Sequence, residues 1–235
     1  MAPASNKAVS FFIFFISHPL TFNLWRSHQP VDIYNLNSIA ILAFDSAAEY
    51  PRLSRTVLGK LGDLLSNIRR EPLFSGVVIA ANSKSFATGA ELEEINLVDG
   101  LAARDFALLG QKLFHDIAYF PVPVIAAVRG FCLGGAFDLA LACHQRVATY
   151  ESSFGHPGPT LGLMTGWGGT QRLPRMLGRS AATQILISGE RIPATQAYTL
   201  GLVNELVSSS ELVEHAAARA ERLGMAWAAQ KTMVQ

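Results

Sequence analysis

Apolar residues along this chain fall into short continuous runs separated by stretches of helical period. Ile39–Phe44 is an apolar run bounded by polar and turn residues, the pattern of a buried strand. Leu53, Val57, Leu61, Leu64, Leu65 and Ile68 then recur at helical spacing, although Gly59 and Gly62 lower the helix propensity. Gly76–Ala81 predicts a second strand, Phe106, Leu109, Leu113 and Ile117 a second amphipathic helix, and Val122–Val128 a third strand. Gly130–Gly135 reads as a glycine-containing turn, Ala136–Cys143 as a buried helix, and Arg146–Thr149 as a fourth short strand. This alternation predicts an α/β domain with parallel strands and right-handed crossovers, whose ligands sit at the carboxyl ends of the strands.

Residues 1–36 depart from that pattern. Lys7 followed by apolar Ala8–Ile16 imitates the start of a signal peptide, but His18, Pro19, Phe22, Trp25 and Arg26 follow where a small-x-small cleavage site belongs. The segment is expected to be an extension that packs on the domain or stays loose, dispensable for a fold that starts at residue 37. Its apolar run Val9–Ile16 is too short to span a bilayer, which takes about 20 apolar residues, so no membrane span is expected.

Composition narrows the function classes. Half of the 235 residues are hydrophobic and 16% are charged, with 19 basic residues nearly cancelling 18 acidic ones. A disordered chain and a polyanion-binding surface are both disfavoured, so nucleic acid is not an expected partner. Cys132 and Cys143 offer neither a disulfide framework nor a metal pair, and a reducing, cytoplasmic setting is expected. The six histidines show no ligand spacing, so no metal site is expected. The phosphate-binding P-loop, the G-x-S-x-G nucleophile elbow, H-E-x-x-H and G-x-G-x-x-G after the first strand are absent.

Two loops that follow predicted strands stand out. In Ser85–Leu92, Gly89 permits an unusual turn that leaves the amide of Ala90 able to face a ligand. In Gly130–Asp138, Gly135 falls at a helix start, where amides are unpaired and the dipole favours negative charge. Two such amides could share one oxygen. The same glycines also make tight turns, and Asp138 suits a first helical turn for its charge alone, so pattern leaves both roles open.

These two loops, followed by Ser153-Phe154-Gly155-His156-Pro157, Gly166-Trp167-Gly168-Gly169-Thr170-Gln171-Arg172-Leu173-Pro174, Ser188-Gly189-Glu190-Arg191-Ile192 and Leu200-Gly201-Leu202-Val203, resemble the crotonase superfamily, the enoyl-CoA hydratase/isomerase group. The similarity covers roughly residues 38–225 in consistent order. It implies an α/β spiral of repeated ββα units over residues 37–205, and residues 206–235 as a helical segment shorter than usual. It also implies a coenzyme A thioester as substrate with no cofactor, and a homotrimer or dimer of trimers. By the same resemblance, the amides of Ala90 and Gly135 hold the thioester oxygen as it gains enolate charge. Ala87, Thr88, Gly89, Glu91 and Gly134 line the substrate path, largely through backbone.

The chain also departs from that pattern. Hydratases of the group use two glutamates, whose positions correspond here to Asp138 and Gly158. Asp138 retains a carboxylate and is the expected acid/base, whereas Gly158 is a degenerate catalytic position, so water addition by two carboxylates is not expected. His156, two residues away, titrates in a useful range and has either a catalytic or a packing role. His144 stands where the group usually has an acid, and a capping or buried role is expected. The stretch Asp45–Leu53 lacks the group's usual Arg-Pro and Asn-Ala signals, and Ala226–Gln235 reads as a shortened final helix. Asp138 alone would also suit a thioester hydrolase, a decarboxylase or an isomerase. A catalytically silent acyl-CoA-binding paralogue or assembly subunit would keep the loops and dispense with Asp138.

Overall fold

The computed structural model describes residues 29–44, 49–70, 73–96 and 99–233. Most of the expected N-terminal extension, part of the Asp45–Leu53 stretch and the last two residues lie outside the described residues.

Among the described residues the main sheet has six strands, β1 (Val31–Leu36), β2 (Ile39–Phe44), β3 (Gly76–Ala81), β4 (Val124–Val128), β6 (Gln145–Thr149) and β9 (Glu205–Val207), side by side in that order. Its centre is β2, β3, β4 and β6, all mutually parallel. Side-chain alternation divides them between two cores. Ala40, Leu42, Phe44, Val77, Ile79, Val124, Ala126 and Val128 face the helices α1 (Arg55–Arg70), α3 (Gly100–Ala118) and α4 (Gly135–Ala142). Ile39, Ile41, Val78, Ala80, Ile125, Ala127 and Val147 face the other way, against Leu212, Ala216, Ala217 and Ala220 of α8 (Leu212–Met233). That contact is close: a Cβ on Gly76 would stand 2.9 Å from the Cβ of Ala220.

Two strands differ from the sequence reading. β1 (Val31–Leu36) lies inside the segment expected to be an extension, yet pairs antiparallel with β2 along its whole length. Only Val31 of β1 is buried, and Ile33 and Tyr34 are exposed, so an edge strand carries no apolar run to betray it. Asn37 makes the tight turn between them at φ 53°, a left-handed conformation that asparagine tolerates. β9 (Glu205–Val207) closes the far side, parallel to β6. The main sheet therefore runs from Val31 to Val207.

A second, three-stranded sheet, β5-β7-β8, is built from β5 (Phe131–Leu133), β7 (Ser153–Gly155) and β8 (Ile192–Pro193). Single-residue bridges Leu53 to Ala90 and Ala87 to Cys132 continue the pairing across the loops. Successive turns thus each contribute a strand to the main sheet and a short piece to the second before a helix follows, as in β4, β5 and α4. This is the spiral of ββα units that the resemblance implies. α2 (Leu92–Asn96), α5 (Gly169–Leu177), α6 (Arg179–Ser188) and α7 (Ala194–Thr199) complete the helices among the described residues. No helix among them is long and apolar enough to cross a membrane.

Two polar side chains, one buried and one half-buried, tie the end of α4 to the sheet. Arg146 on β6 is 4% exposed and donates to the carbonyls of Ala140, Cys143 and Leu202, so its charge sits on the C-terminal end of α4. His144 accepts the Val124 amide at Nδ1 (2.8 Å), and its half-buried ring stands edge-on to Trp227. Burial pulls its pKa below the ordinary range.

Candidate active site

The first loop is held by backbone pairing on both sides. Ala87 donates to Phe131 and accepts from Leu133 (both 3.1 Å), while Thr88 donates to Pro51 and Leu53 donates to Gly89 (both 2.8 Å). Glu91 in turn donates to Leu53 (3.4 Å). The amides of Ala87, Thr88 and Glu91 are consumed, and that of Ala90 makes no hydrogen bond among the described residues. The side chains of Thr88 and Glu91 are also engaged, Thr88 on the Pro51 carbonyl and Glu91 facing Arg52 at 3.9 Å.

The second loop meets the first at glycine. Gly89 takes φ 106°, and a Cβ there would stand 3.2 Å from the Leu133 carbonyl and 3.6 Å from the Gly135 nitrogen. Gly134, at φ 54°, donates to Gly155 and caps α4 without a side chain, leaving the Gly135 amide unpaired at the helix start. The loop residues singled out from sequence are therefore brought together, with the amides of Ala90 and Gly135 on facing segments.

Asp138 lies three residues into α4, on the same helical face as Gly135, and is fully buried. One carboxylate oxygen, Oδ2, accepts from the Thr165 hydroxyl and from the Trp167 amide (3.3 Å). The other, Oδ1, has no hydrogen-bond partner and faces His156 Nε2 at 3.5 Å. Gly169 makes that approach possible, because a Cβ there would collide with Oδ1 and stand 2.8 Å from Nε2.

Burial dominates the electrostatics of this pair. It raises the pKa of Asp138 to about 7, against the opposing pull of the Thr165 and Trp167 hydrogen bonds and the Arg172 charge. It lowers that of His156 to about 4. At neutral pH the histidine is uncharged and the aspartate is poised to hold or release a proton.

Several site-building residues have no role in the sequence reading. Trp167 donates its ring N–H to the Phe106 carbonyl (3.2 Å) and stands edge-on to Phe106 and Phe114. Its ring presses on Gly110 and Gly135, where any Cβ would collide with it. Thr165, Trp167 and Gly169 all fall beside or inside the Gly166–Pro174 motif, so their signal was present as a motif without a function. Gly158 opens a 3-10 turn, Gly158–Leu161, and a Cβ on it would stand 2.7 Å from the Leu163 carbonyl. The position is closed to side chains by sterics and not by a positive φ. A surface cleft of about 540 Å³, lined by Asn82, Ser83, Lys84, Arg129, Glu151 and Ser209, contains none of these residues.

Residues 35–235 match the family model described as Enoyl-CoA hydratase/isomerase. The chain belongs to the enoyl-CoA hydratase/isomerase family. It is 36% identical over 188 residues to the crotonyl-CoA hydratase of Syntrophomonas wolfei, covering 80% of this chain and 72% of that protein. The short-chain-enoyl-CoA hydratase of Clostridium acetobutylicum is 34% identical over 179 residues, which is 76% of this chain and 69% of that one. Among solved structures, the enoyl-CoA hydratase of Bacillus anthracis superposes with a TM-score of 0.79 at 31% identity, covering 83% of this chain and 76% of that one. This member of the enoyl-CoA hydratase/isomerase family thus has the fold of its relatives.

Proposed function

We propose that the protein is an enzyme acting on coenzyme A thioesters, holding the thioester oxygen with the amides of Ala90 and Gly135 while Asp138 moves a proton at the adjacent carbon. The observation that carries this reading is the meeting of the two loops at Gly89, which sets one unpaired amide beside another, with a buried carboxylate one helical turn further on. Removing a proton beside a thioester carbonyl puts negative charge on its oxygen, and preorganised amides stabilise that charge by about 3–4 kcal/mol per donor. The names of the two hydratases above, crotonyl-CoA and short-chain enoyl-CoA, favour a short acyl chain. A two-carboxylate water addition is not available, since Gly158 has neither a side chain nor room for one. An intact, poised Asp138 favours an enzyme over a silent binding subunit. The exposed apolar side chains of Leu161, Met164 and Ile187 support assembly of copies of this chain, for which a trimer is the arrangement we propose.

Exchange of the α-protons of butyryl-CoA with deuterated water, followed by mass spectrometry, tests the reading. The wild-type protein should exchange them, Asp138→Asn should bind butyryl-CoA in calorimetry yet fall by 10²–10⁴ in exchange, and Gly89→Ala should also lose exchange. Absence of both binding and exchange in the wild-type protein would overturn it.

A further inference from the structure

We infer that His156 is the second proton-carrying group of this site, so that Asp138 and His156 together add water across the double bond of a short 2-enoyl-CoA thioester. The inference rests on the proposed thioester reading and names the group that Gly158 does not supply.

The geometry around the carboxylate decides which atoms can exchange a proton. Oδ2 already accepts two donors, from Thr165 and Trp167, so proton traffic falls to Oδ1. His156 Nε2 stands across from Oδ1 at 3.5 Å, and Oδ1, Nε2 and His156 Nδ1 are buried with no side-chain hydrogen-bond partner among the described residues. Each unmade hydrogen bond of this kind is costly, and a cluster of them in a folded interior calls for a reason. A histidine that serves packing alone is satisfied, as His144 is on the Val124 amide. His156 instead packs its ring beside Phe137 and turns its Nε2 edge toward Asp138. The missing Cβ of Gly169 leaves the space over both reacting atoms.

The environment also sets opposite starting states on the two groups. Asp138, raised to about 7, holds a proton below neutral pH, where His156, lowered to about 4, is still a free base. The other ionisable groups bearing on the pair are Arg172 of α5, which favours the Asp138 carboxylate, and the Cys132 thiol of β5, which burial keeps protonated. In the step itself, Nε2 takes a proton from water as the water oxygen bonds to the β-carbon. The π electrons of the double bond move into an enolate whose oxygen charge meets the amides of Ala90 and Gly135. The α-carbon then takes the proton from Oδ1, and Nε2 returns its proton to Oδ1. One water is added and both groups are restored.

Hydration of crotonyl-CoA, read as 3-hydroxybutyryl-CoA by mass spectrometry beside the α-proton exchange assay, separates this inference from the reading beneath it. Wild-type protein should hydrate, with a rate that falls as pH rises through about 7, where Asp138 loses its proton. His156→Gln should lose hydration by 10²–10⁴ with KM changed only a few-fold. Wild-type protein that exchanges α-protons but does not hydrate would overturn the inference and leave the thioester reading standing. So would a His156→Gln protein that hydrates like the wild type. Should His156→Gln fail to fold, His156→Asn takes its place, and hydration by that variant at the wild-type rate would overturn the assignment.

Discussion

Asp138 Oδ1 and His156 Nε2 face each other at 3.5 Å across space that exists only because residue 169 is glycine. A methyl group at 169 would overlap Oδ1 and crowd Nε2, and the Thr165 methyl would press on it from the other side at 2.9 Å. Gly169→Ala is therefore expected to lose about 1–3 kcal/mol of stability by overpacking. It should also lose α-proton exchange while still binding CoA thioester. Urea unfolding and the exchange assay on the same preparation check both halves.

The pair gives a pH signature with opposed signs. The pKa of Asp138 is raised on folding from 3.8 to about 7, so its contribution to stability is full below the unfolded value and is lost as pH rises through 7. The pKa of His156 is lowered from 6.5 to about 4, so its contribution is full above 6.5 and is lost as pH falls through 4. Between those limits the two slopes oppose each other in the wild-type protein. Asp138→Asn removes one of them, so its stability relative to wild type should rise on going from about pH 5 to about pH 8, by at most roughly 3 kcal/mol. Urea midpoints at the two pH values measure the change, and a constant difference would contradict the burial argument.

Placing a glutamate at residue 158 should fail to supply a second carboxylate. A side chain on Gly158 starts 2.7 Å from the Leu163 carbonyl, a backbone atom held by the return bond from Leu163 N–H to the Gly158 carbonyl (2.9 Å). Gly158→Glu is expected to destabilise the protein by about 1–3 kcal/mol and to leave crotonyl-CoA hydration no faster. A gain in hydration with unchanged melting temperature would show that the turn yields.

Removing residues 1–36 is expected to be harmful, contrary to what the apolar pattern suggests. A chain starting at Asn37 loses β1, exposes the hydrogen-bonding edge of β2 and removes buried Val31 from the core. Concentration-dependent aggregation in light scattering, with a lowered unfolding midpoint, is the outcome to look for.

The central strands, the amphipathic helices α1 and α3 and the buried helix α4 are legible along the chain, because each carries its own hydrophobic period or run. The sequence also marks the family, through glycine-containing motifs that a backbone needs in fixed order, and it singled out Ala90, Gly135 and Asp138. What it left open depended on neighbours far along the chain. β1 escaped notice because an edge strand can be polar and exposed. The role of His156 was undecided because two residues of separation from Gly158 say nothing about which way a ring turns. In the folded chain the ring faces Asp138, because Asp138 of α4, His156 beyond β7 and Gly169 of α5 come to one point. The physical reason is that a close approach of buried polar atoms is fixed by what the surrounding backbone leaves unfilled. Here that unfilled space is the missing side chain of Gly169.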